Sequence, residues 1–184
     1  SPLIITYCMN AGYLPKNHWI QSDDHRGRII GEACHIFELF CFLTDARPIS
    51  VAVNTPGPVA DDVLVTDNIV ATVGMSDGSC CTLVYSAFGN AGSGKEHLEI
   101  FFDGKTIMMN DFYSLKGFGL PRAFNRTVRM PDKGHEHLMR RFFKAAAHKG
   151  VSSPIPLDRI LDATEIALVA DKLARAGGGF ERLV

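Results

Sequence analysis

Four ionisable side chains, those of Arg28, Glu32, His35 and Glu38, interrupt an otherwise apolar stretch, GRIIGEACHIFELF at 27–40. At 100° per residue, these four and Gly31 fall on one narrow stripe of a helix, whereas the other positions are apolar. Glu32 and His35 are i, i+3 neighbours, so their side chains can touch. Histidine exchanges protons near neutral pH, and a nearby carboxylate orients its ring. The pattern predicts an active-site stripe suited to proton transfer.

A polar stripe that a surface helix shows to water is the structural alternative to an active site. Solvated stripes usually contain Lys, Glu and Gln, whereas this one contains glycine and histidine. A glycine inside a helix costs about 1 kcal/mol relative to alanine. Such a glycine is useful where another group approaches the backbone closely, which we expect at Gly31. The residues alone leave both interpretations open.

Length and composition indicate one globular, soluble domain. The chain has 184 residues, 46% hydrophobic and 21% charged, with a formal net charge of −1. This balance gives no broad attraction to nucleic acid or to an anionic membrane surface. No apolar run approaches the roughly 20 residues of a membrane span. Residues 1–9 lack the marks of a signal peptide, and five cysteines without CxxC spacing favour reduced thiols, so we expect a cytoplasmic protein.

The order of the predicted elements gives the fold class α+β: an open, mostly antiparallel sheet with helices packed on one face. Strands are predicted at 2–9, 48–54, 68–75 and 80–88, in a hairpin at 97–111, and more weakly at 112–116 and 122–130. Helices are predicted at 28–43, 135–148 and 157–175, the last ended by glycines 177–179. A loop at 10–27 precedes the first helix. The strands follow one another as a consecutive meander.

The hairpin at 97–111 is apolar on both faces. Leu98 and Ile100 point to one side, and Phe101 and Met108 point to the other. Because the helices are too few to cover both faces, this pattern predicts a homo-oligomer formed through the second face. The alternative is an outer face of merely mixed polarity.

Two further site classes are not expected. His135 and His137 are two positions apart on a helix, so their rings lie about 200° apart and cannot share a metal ion. The glycines of GNAGSG at 89–94 do not follow the G-x-G-x-x-G order of a dinucleotide-binding loop. The sequence therefore predicts no metal site and no phosphate loop.

Several blocks resemble the C-terminal domain of the Gfo/Idh/MocA family of NAD(P)-dependent oxidoreductases. The matching blocks are GYLPKNHW at 12–19, GRIIGEACH at 27–35, GKEHLEIFFDGKTIMMNDF at 94–112 and the two closing helices. They cover nearly the whole chain in family order. The resemblance implies one substrate-binding and oligomerisation domain over 1–184, with a dihydrodipicolinate-reductase-like sheet. It also implies an N-terminal Rossmann domain, absent from this sequence, that binds NAD or NADP and carries a catalytic lysine.

The resemblance also implies roles for single residues. His35 matches the family histidine that faces the nicotinamide and the substrate hydroxyl. The family aspartate four positions earlier is replaced by Gly31, and an acid stands three positions earlier, at Glu32. His35 and Glu32 are thus the expected catalytic residues, and Gly31 is the expected cofactor contact. The expected substrate contacts are Asn10, Lys16, His18, Trp19, Arg28 and Asp111.

For Trp19, the only tryptophan, two roles are possible. It is either a platform for a sugar ring or, more commonly, a side chain that fills an edge of the core.

The implied activity is hydride transfer between a nicotinamide and a hydroxyl or carbonyl of a sugar, nucleotide sugar or polyol. The expected partners are that small molecule, the protein's own Rossmann domain and further copies of the chain, without nucleic acid or membrane. This domain alone is expected to be inactive. The alternative is a non-catalytic relative that uses the same fold to sense a ligand or to bind a regulator.

Overall fold

The computed structural model describes residues 1–21, 27–57, 64–148 and 150–183. Its strands are β1 (Ile4–Asn10), β2 (Pro48–Asn54), β3 (Asn68–Met75), β4 (Cys80–Ser86), β5 (Glu96–Phe102), β6 (Lys105–Asn110), β7 (Ser114–Phe118), β8 (Arg126–Thr127) and β9 (Gly178–Arg182). Its α-helices are α1 (Cys34–Thr44), α2 (His135–Ala147) and α3 (Leu157–Arg175). Part of the predicted loop, 22–26, lies outside the described residues.

All nine strands join one open sheet in the order β8-β7-β6-β5-β1-β4-β3-β2-β9. The predicted fold class is confirmed, because only the β1–β4 pairing is parallel. The predicted consecutive meander is wrong at β1, which lies between β4 and β5. This strand carries Ile5, Tyr7 and Met9 into the core. A central position buries these side chains and satisfies both backbone edges of the strand.

The sequence prediction missed strand β9. The glycines at 177–179 follow the end of α3, as expected, but the chain then pairs antiparallel with β2. Gly178 has φ +119°, and a methyl group there would lie 3.0 Å from the carbonyl oxygen of Val53. Glycine therefore allows the chain to turn and to approach β2 closely.

Helices α1 and α3 pack against each other and cover one face of the sheet. Phe37 and Phe40 of α1 and Ile166 of α3 are fully buried against strand residues such as Val51 and Leu83. Burying each such side chain stabilises the fold by roughly 1.5–3 kcal/mol. Helix α2 differs, because none of its side chains is buried. No helix among the described residues is both long and apolar enough to cross a membrane.

The opposite face of the sheet is mixed in polarity. Ile4 of β1, Phe101 of β5 and Phe118 of β7 are exposed on it. Closer to the middle, Thr6 and Thr82 face the same side as cross-strand partners. An oligomer formed through this face remains a prediction.

Candidate functional site

The segment that leads into α1 is a π-helical turn, Ile29–Ala33, instead of the regular α-helix predicted from residue 28. The stripe calculated at 100° per residue therefore does not hold through this turn, since a π-turn has more residues per turn. Ile29 and Ala33 are buried beneath it, whereas Gly31 is exposed. Single π-turns occur frequently at functional sites. This one contains both Gly31 and Glu32.

Arg28 connects the start of this turn to the loop after β1 by hydrogen bonds. Its guanidinium is 2% exposed and donates hydrogen bonds to the carbonyl oxygens of Gly12 at 2.7 Å and Ala11 at 2.9 Å. It also lies 5.2 Å from the ring centroid of Tyr85, within cation–π range. Arg28 thus holds protein groups together, and its predicted contact with a substrate stays a prediction.

Three side chains bind the carboxylate of Glu32. Its Oε1 accepts a hydrogen bond from the ammonium of Lys95 at 2.9 Å. Its Oε2 accepts one from Arg28 at 3.3 Å and another from the hydroxyl of Tyr85. Burial opposes ionisation of Glu32, but the bonds from Lys95 and Tyr85 and the charges of Lys95 and Arg28 outweigh it, so its pKa lies below the usual value. Glu32 is therefore an anion at neutral pH.

His35 lies one turn further along the helix with its ring exposed. The predicted contact between Glu32 and His35 does not form: the partners of the Glu32 carboxylate among the described residues are Lys95, Tyr85 and Arg28. The charge of His35 acts instead on the carboxylate of Glu38. Burial raises the pKa of Glu38, and the charges of Arg159 and His35 oppose that rise. Among the described residues, none forms a hydrogen bond with the imidazole ring of His35.

Asp111 positions Lys95. Its Oδ1 accepts hydrogen bonds from the backbone N–H groups of Lys95 at 2.8 Å and Glu96 at 2.6 Å. Asp111 and Phe112 both have left-handed backbone, at φ 46° and 57°. Two consecutive non-glycine residues in this region are unusual and persist only where the surroundings demand it. Asp111 therefore fixes the start of β5, from which Lys95 reaches Glu32.

Asn10 holds the glycine loop at 89–94. Its Nδ2 donates to the carbonyl oxygens of Asn90 at 2.8 Å and Gly94 at 3.0 Å and to Oγ of Ser93 at 3.0 Å. Within the loop, the backbone N–H groups of Gly92 and Ser93 bond to Asn90. These donors are thereby occupied by the loop itself.

The loop before the helix approaches Gly31 through one side chain. A 3₁₀ turn, Trp19–Gln21, places the side chain of Ile20 3.4 Å from a methyl group at Gly31. The close approach predicted at Gly31 thus involves Ile20, and a cofactor contact there stays a prediction. Trp19 is 64% exposed, so it does not fill an edge of the core, and its ring centroid lies 5.6 Å from that of His18. Lys16 is exposed in the same loop.

A second carboxylate, that of Glu96, is bound by a tyrosine and a lysine in the same way as Glu32. The hydroxyl of Tyr7 donates to Glu96 at 2.7 Å, and the ammonium of Lys133 lies 2.6 Å from the other oxygen of Glu96. Sequence analysis missed these residues, and it also missed Tyr85 and Lys95. One signal was present: Tyr7 and Tyr85 both occupy core-facing positions of their strands, where a buried hydroxyl needs a polar partner.

No group of three His, Cys, Asp or Glu side chains in the described part of the chain is placed to hold a metal ion. The polar groups of this part of the domain are instead the ionised carboxylate of the π-turn, the half-exposed ammonium that binds it from the start of β5, and an exposed imidazole on α1. Such a set can bind hydroxyl groups and exchange a proton.

No protein-family model matches the sequence, and no curated relative matches it at a significant level. Solved structures do match. UDP-N-acetylglucosamine 3-dehydrogenase from Acidithiobacillus ferrooxidans is 18% identical with a TM-score of 0.70, over 96% of this chain and 55% of its own. Aldose-aldose oxidoreductase from Caulobacter crescentus is 13% identical with a TM-score of 0.77, over 100% of this chain and 56% of its own.

Myo-inositol dehydrogenase from Lactobacillus casei, solved with NAD(H) and myo-inositol, is 16% identical with a TM-score of 0.66. The match covers 100% of this chain and 54% of that enzyme. The chain thus spans little more than half the length of the structures it matches. At these identities the likeness establishes the fold alone, and the resemblance noted in the sequence is confirmed at that level: the chain has the fold of a domain of these oxidoreductases.

Proposed function

We propose that this chain is the substrate-binding and oligomerisation domain of an NAD(P)-dependent oxidoreductase. The reaction is hydride transfer between the nicotinamide and a hydroxyl or carbonyl of a sugar, nucleotide sugar or polyol. In the direction of oxidation, the hydride goes to the nicotinamide, and the hydroxyl proton goes to a base within hydrogen-bond reach.

The observation that carries this proposal is the exposed ring of His35, one helical turn from the ionised Glu32 carboxylate. A proton acceptor must be accessible to the substrate, and His35 is accessible because no described residue forms a hydrogen bond with its ring. Glu32 is held by Lys95, Tyr85 and Arg28, so its role is to fix the π-turn from which α1 and His35 continue.

The dinucleotide belongs mainly to the N-terminal Rossmann domain of the full-length protein. The glycine loop at 89–94 does not fit phosphate groups, because Asn90 already binds its backbone N–H groups. The exposed backbone at Gly31 fits a flat ring, since Ile20 is the one side chain among the described residues that a methyl group there would meet within 4 Å. The nicotinamide supplies hydride transfer, and this chain orients the substrate and exchanges the proton.

The open face of the sheet is the proposed contact between copies of the chain. Ile4, Phe101 and Phe118 form its apolar end, and the ring of Phe180 on β9 is exposed at the other edge of the sheet. Removing such side chains from water favours association. Sedimentation of the wild type and of Phe101→Lys tests this contact: an oligomer that dissociates in the variant supports it, and an unchanged oligomer contradicts it.

A ligand-sensing domain is the second candidate. It is favoured by one observation, namely that no carboxylate among the described residues forms a hydrogen bond or ion pair with the ring of His35. A sensor needs the pocket but not an oriented base.

Hydride transfer by the full-length protein separates the two candidates. The reduced nicotinamide is followed by absorbance with NAD⁺ or NADP⁺ and a panel of sugars, nucleotide sugars and polyols. Turnover of any of these supports the oxidoreductase. Binding without turnover, seen by calorimetry with the same panel, supports the sensor.

A further inference from the structure

The ammonium of Lys95 lies at the surface beside the π-turn, yet it is not one of the residues expected to form the site. It lies 2.9 Å from Oε1 of Glu32, and the side chains of Lys95 and Glu32 are 49% and 24% exposed. An ammonium carries three N–H donors. Glu32 is its only hydrogen-bond partner among the described residues, so two donors face outward.

Glu32 also keeps one binding position open. A carboxylate accepts about four hydrogen bonds, two on each oxygen. The hydroxyl of Tyr85 and the guanidinium of Arg28 both bond to Oε2, whereas Lys95 alone bonds to Oε1. The free position on Oε1 therefore lies next to the free donors of Lys95.

We propose that the Glu32–Lys95 pair binds a vicinal diol of the substrate, with Lys95 donating to one hydroxyl oxygen and Oε1 of Glu32 accepting from the neighbouring hydroxyl. A hydroxyl group both donates and accepts, so a diol satisfies both members of a charged pair at once. The pair is pre-organised, because Asp111 fixes the backbone of Lys95 while Tyr85 and Arg28 hold Glu32. No reorganisation is then needed on binding.

This inference rests on the proposed function and names the part of the substrate that the site recognises. It places the diol at Glu32, three positions before the exposed His35 in the chain. Lys95 and Glu32 thereby select polyhydroxylated rings over rings that lack adjacent hydroxyls. A buried or pre-organised polar site discriminates strongly against ligands that leave its groups unpaired.

Binding measured without nicotinamide tests the pair. The probes are myo-inositol and UDP-N-acetylglucosamine, which carry vicinal diols, and cyclohexanol, which does not. Binding to the full-length protein is followed by calorimetry and by the side-chain ¹⁵N signal of Lys95. A charge-assisted hydrogen bond corresponds to roughly a tenfold to hundredfold change in affinity. We expect Lys95→Met to weaken binding of a diol probe by that factor and Lys95→Arg to restore most of it.

Lys172→Met is the matched control, because Lys172 forms a similar exposed pair with Glu181 at 2.6 Å, between α3 and β9. This control should bind the probes as the wild type does, and the thermal midpoints of both methionine variants should agree. The proposal is overturned if neither diol probe binds the wild type, if cyclohexanol binds equally well, or if Lys95→Met binds normally. Equal loss of binding in Lys172→Met also overturns it. Absence of hydride transfer with intact diol binding counts against the proposed reaction alone.

Discussion

The amide oxygen of Asn10 occupies the place that a side chain at Gly89 would fill: a methyl group on Gly89 would lie 2.1 Å from that oxygen. Asn10 cannot move aside without losing its three hydrogen bonds to the glycine loop. We therefore expect Gly89→Ala to lower the free energy of unfolding by about 1–3 kcal/mol, as overpacking does. Urea titration measures this. Gly104→Ala is not suited as a control because Gly104 has a positive φ, whereas a methyl group at Gly57 meets none of the described residues within 4 Å, so Gly57→Ala is the control and should stay within about 0.5 kcal/mol of the wild type.

Glu32→Gln should show a stability loss that depends on pH. Because the folded-state pKa of Glu32 is depressed, its ionisation stabilises the fold above the unfolded pKa, and this stability is lost as the pH falls through the folded pKa. At neutral pH, we expect the variant to lose about 1.5–3 kcal/mol, the usual contribution of hydrogen bonds to charged groups. The deficit should begin to shrink below about pH 4.5, where the unfolded chain binds a proton that the folded carboxylate takes up only at lower pH.

Denaturant titrations at a series of pH values measure that deficit. Glu136→Gln removes an exposed carboxylate that pairs with Arg140 on α2 and serves as the control. A surface pair of this kind contributes about 0–1 kcal/mol. A stability deficit for Glu32→Gln that does not vary with pH would show that the pKa of Glu32 is not depressed in the folded protein.

Tyr85→Phe should raise the pKa of Glu32. The hydroxyl of Tyr85 donates to the ionised carboxylate, and removing that bond makes ionisation less favourable. Carboxyl ¹³C NMR of Glu32 across the acid range measures the change. Tyr7→Phe removes the equivalent hydroxyl from Glu96 and should leave the Glu32 titration where it is. Equal shifts in both variants would argue against the specific bond.

The apolar side chains of α2 should add little to the stability of this domain. Phe142 and Phe143 are 52% and 61% exposed, and no residue of α2 is buried. We expect the double variant Phe142→Ser, Phe143→Ser to change the free energy of unfolding by less than about 0.5 kcal/mol per site. Phe37→Ala on α1 should instead cost about 3–5 kcal/mol, because Phe37 is fully buried. Thermal and urea unfolding compare the variants.

Local patterns predicted the sheet well, because alternation and Asp-Gly turns are encoded in neighbouring residues. The hairpin of β5 and β6 forms with Ile100 opposite Ile107, as alternation requires. The place of β1 was not predictable in this way, because no turn connects β1 to either of its partners. Pairing of that kind depends on which strand buries its apolar side chains best.

In the candidate site as well, local features were predictable from the sequence and contacts between distant residues were not. Sequence spacing located His35 and Glu32 on one segment, but it could not show that Lys95, 63 positions away, would reach Glu32. Nor could it show the π-turn, because a pattern calculated for an α-helix assumes regular geometry. Contacts between distant elements and local departures from regular geometry are set by packing of the whole domain.

The direct test of the central claim is hydride transfer by the full-length protein, compared between His35→Ala and His137→Ala. His137 is exposed on α2 and has no part in the proposed site. Loss of a positioned acid–base group lowers the rate by on the order of 10²–10⁴. We predict a loss of that size in kcat for His35→Ala and none for His137→Ala. Full turnover in His35→Ala would contradict the assignment of His35 as the proton acceptor.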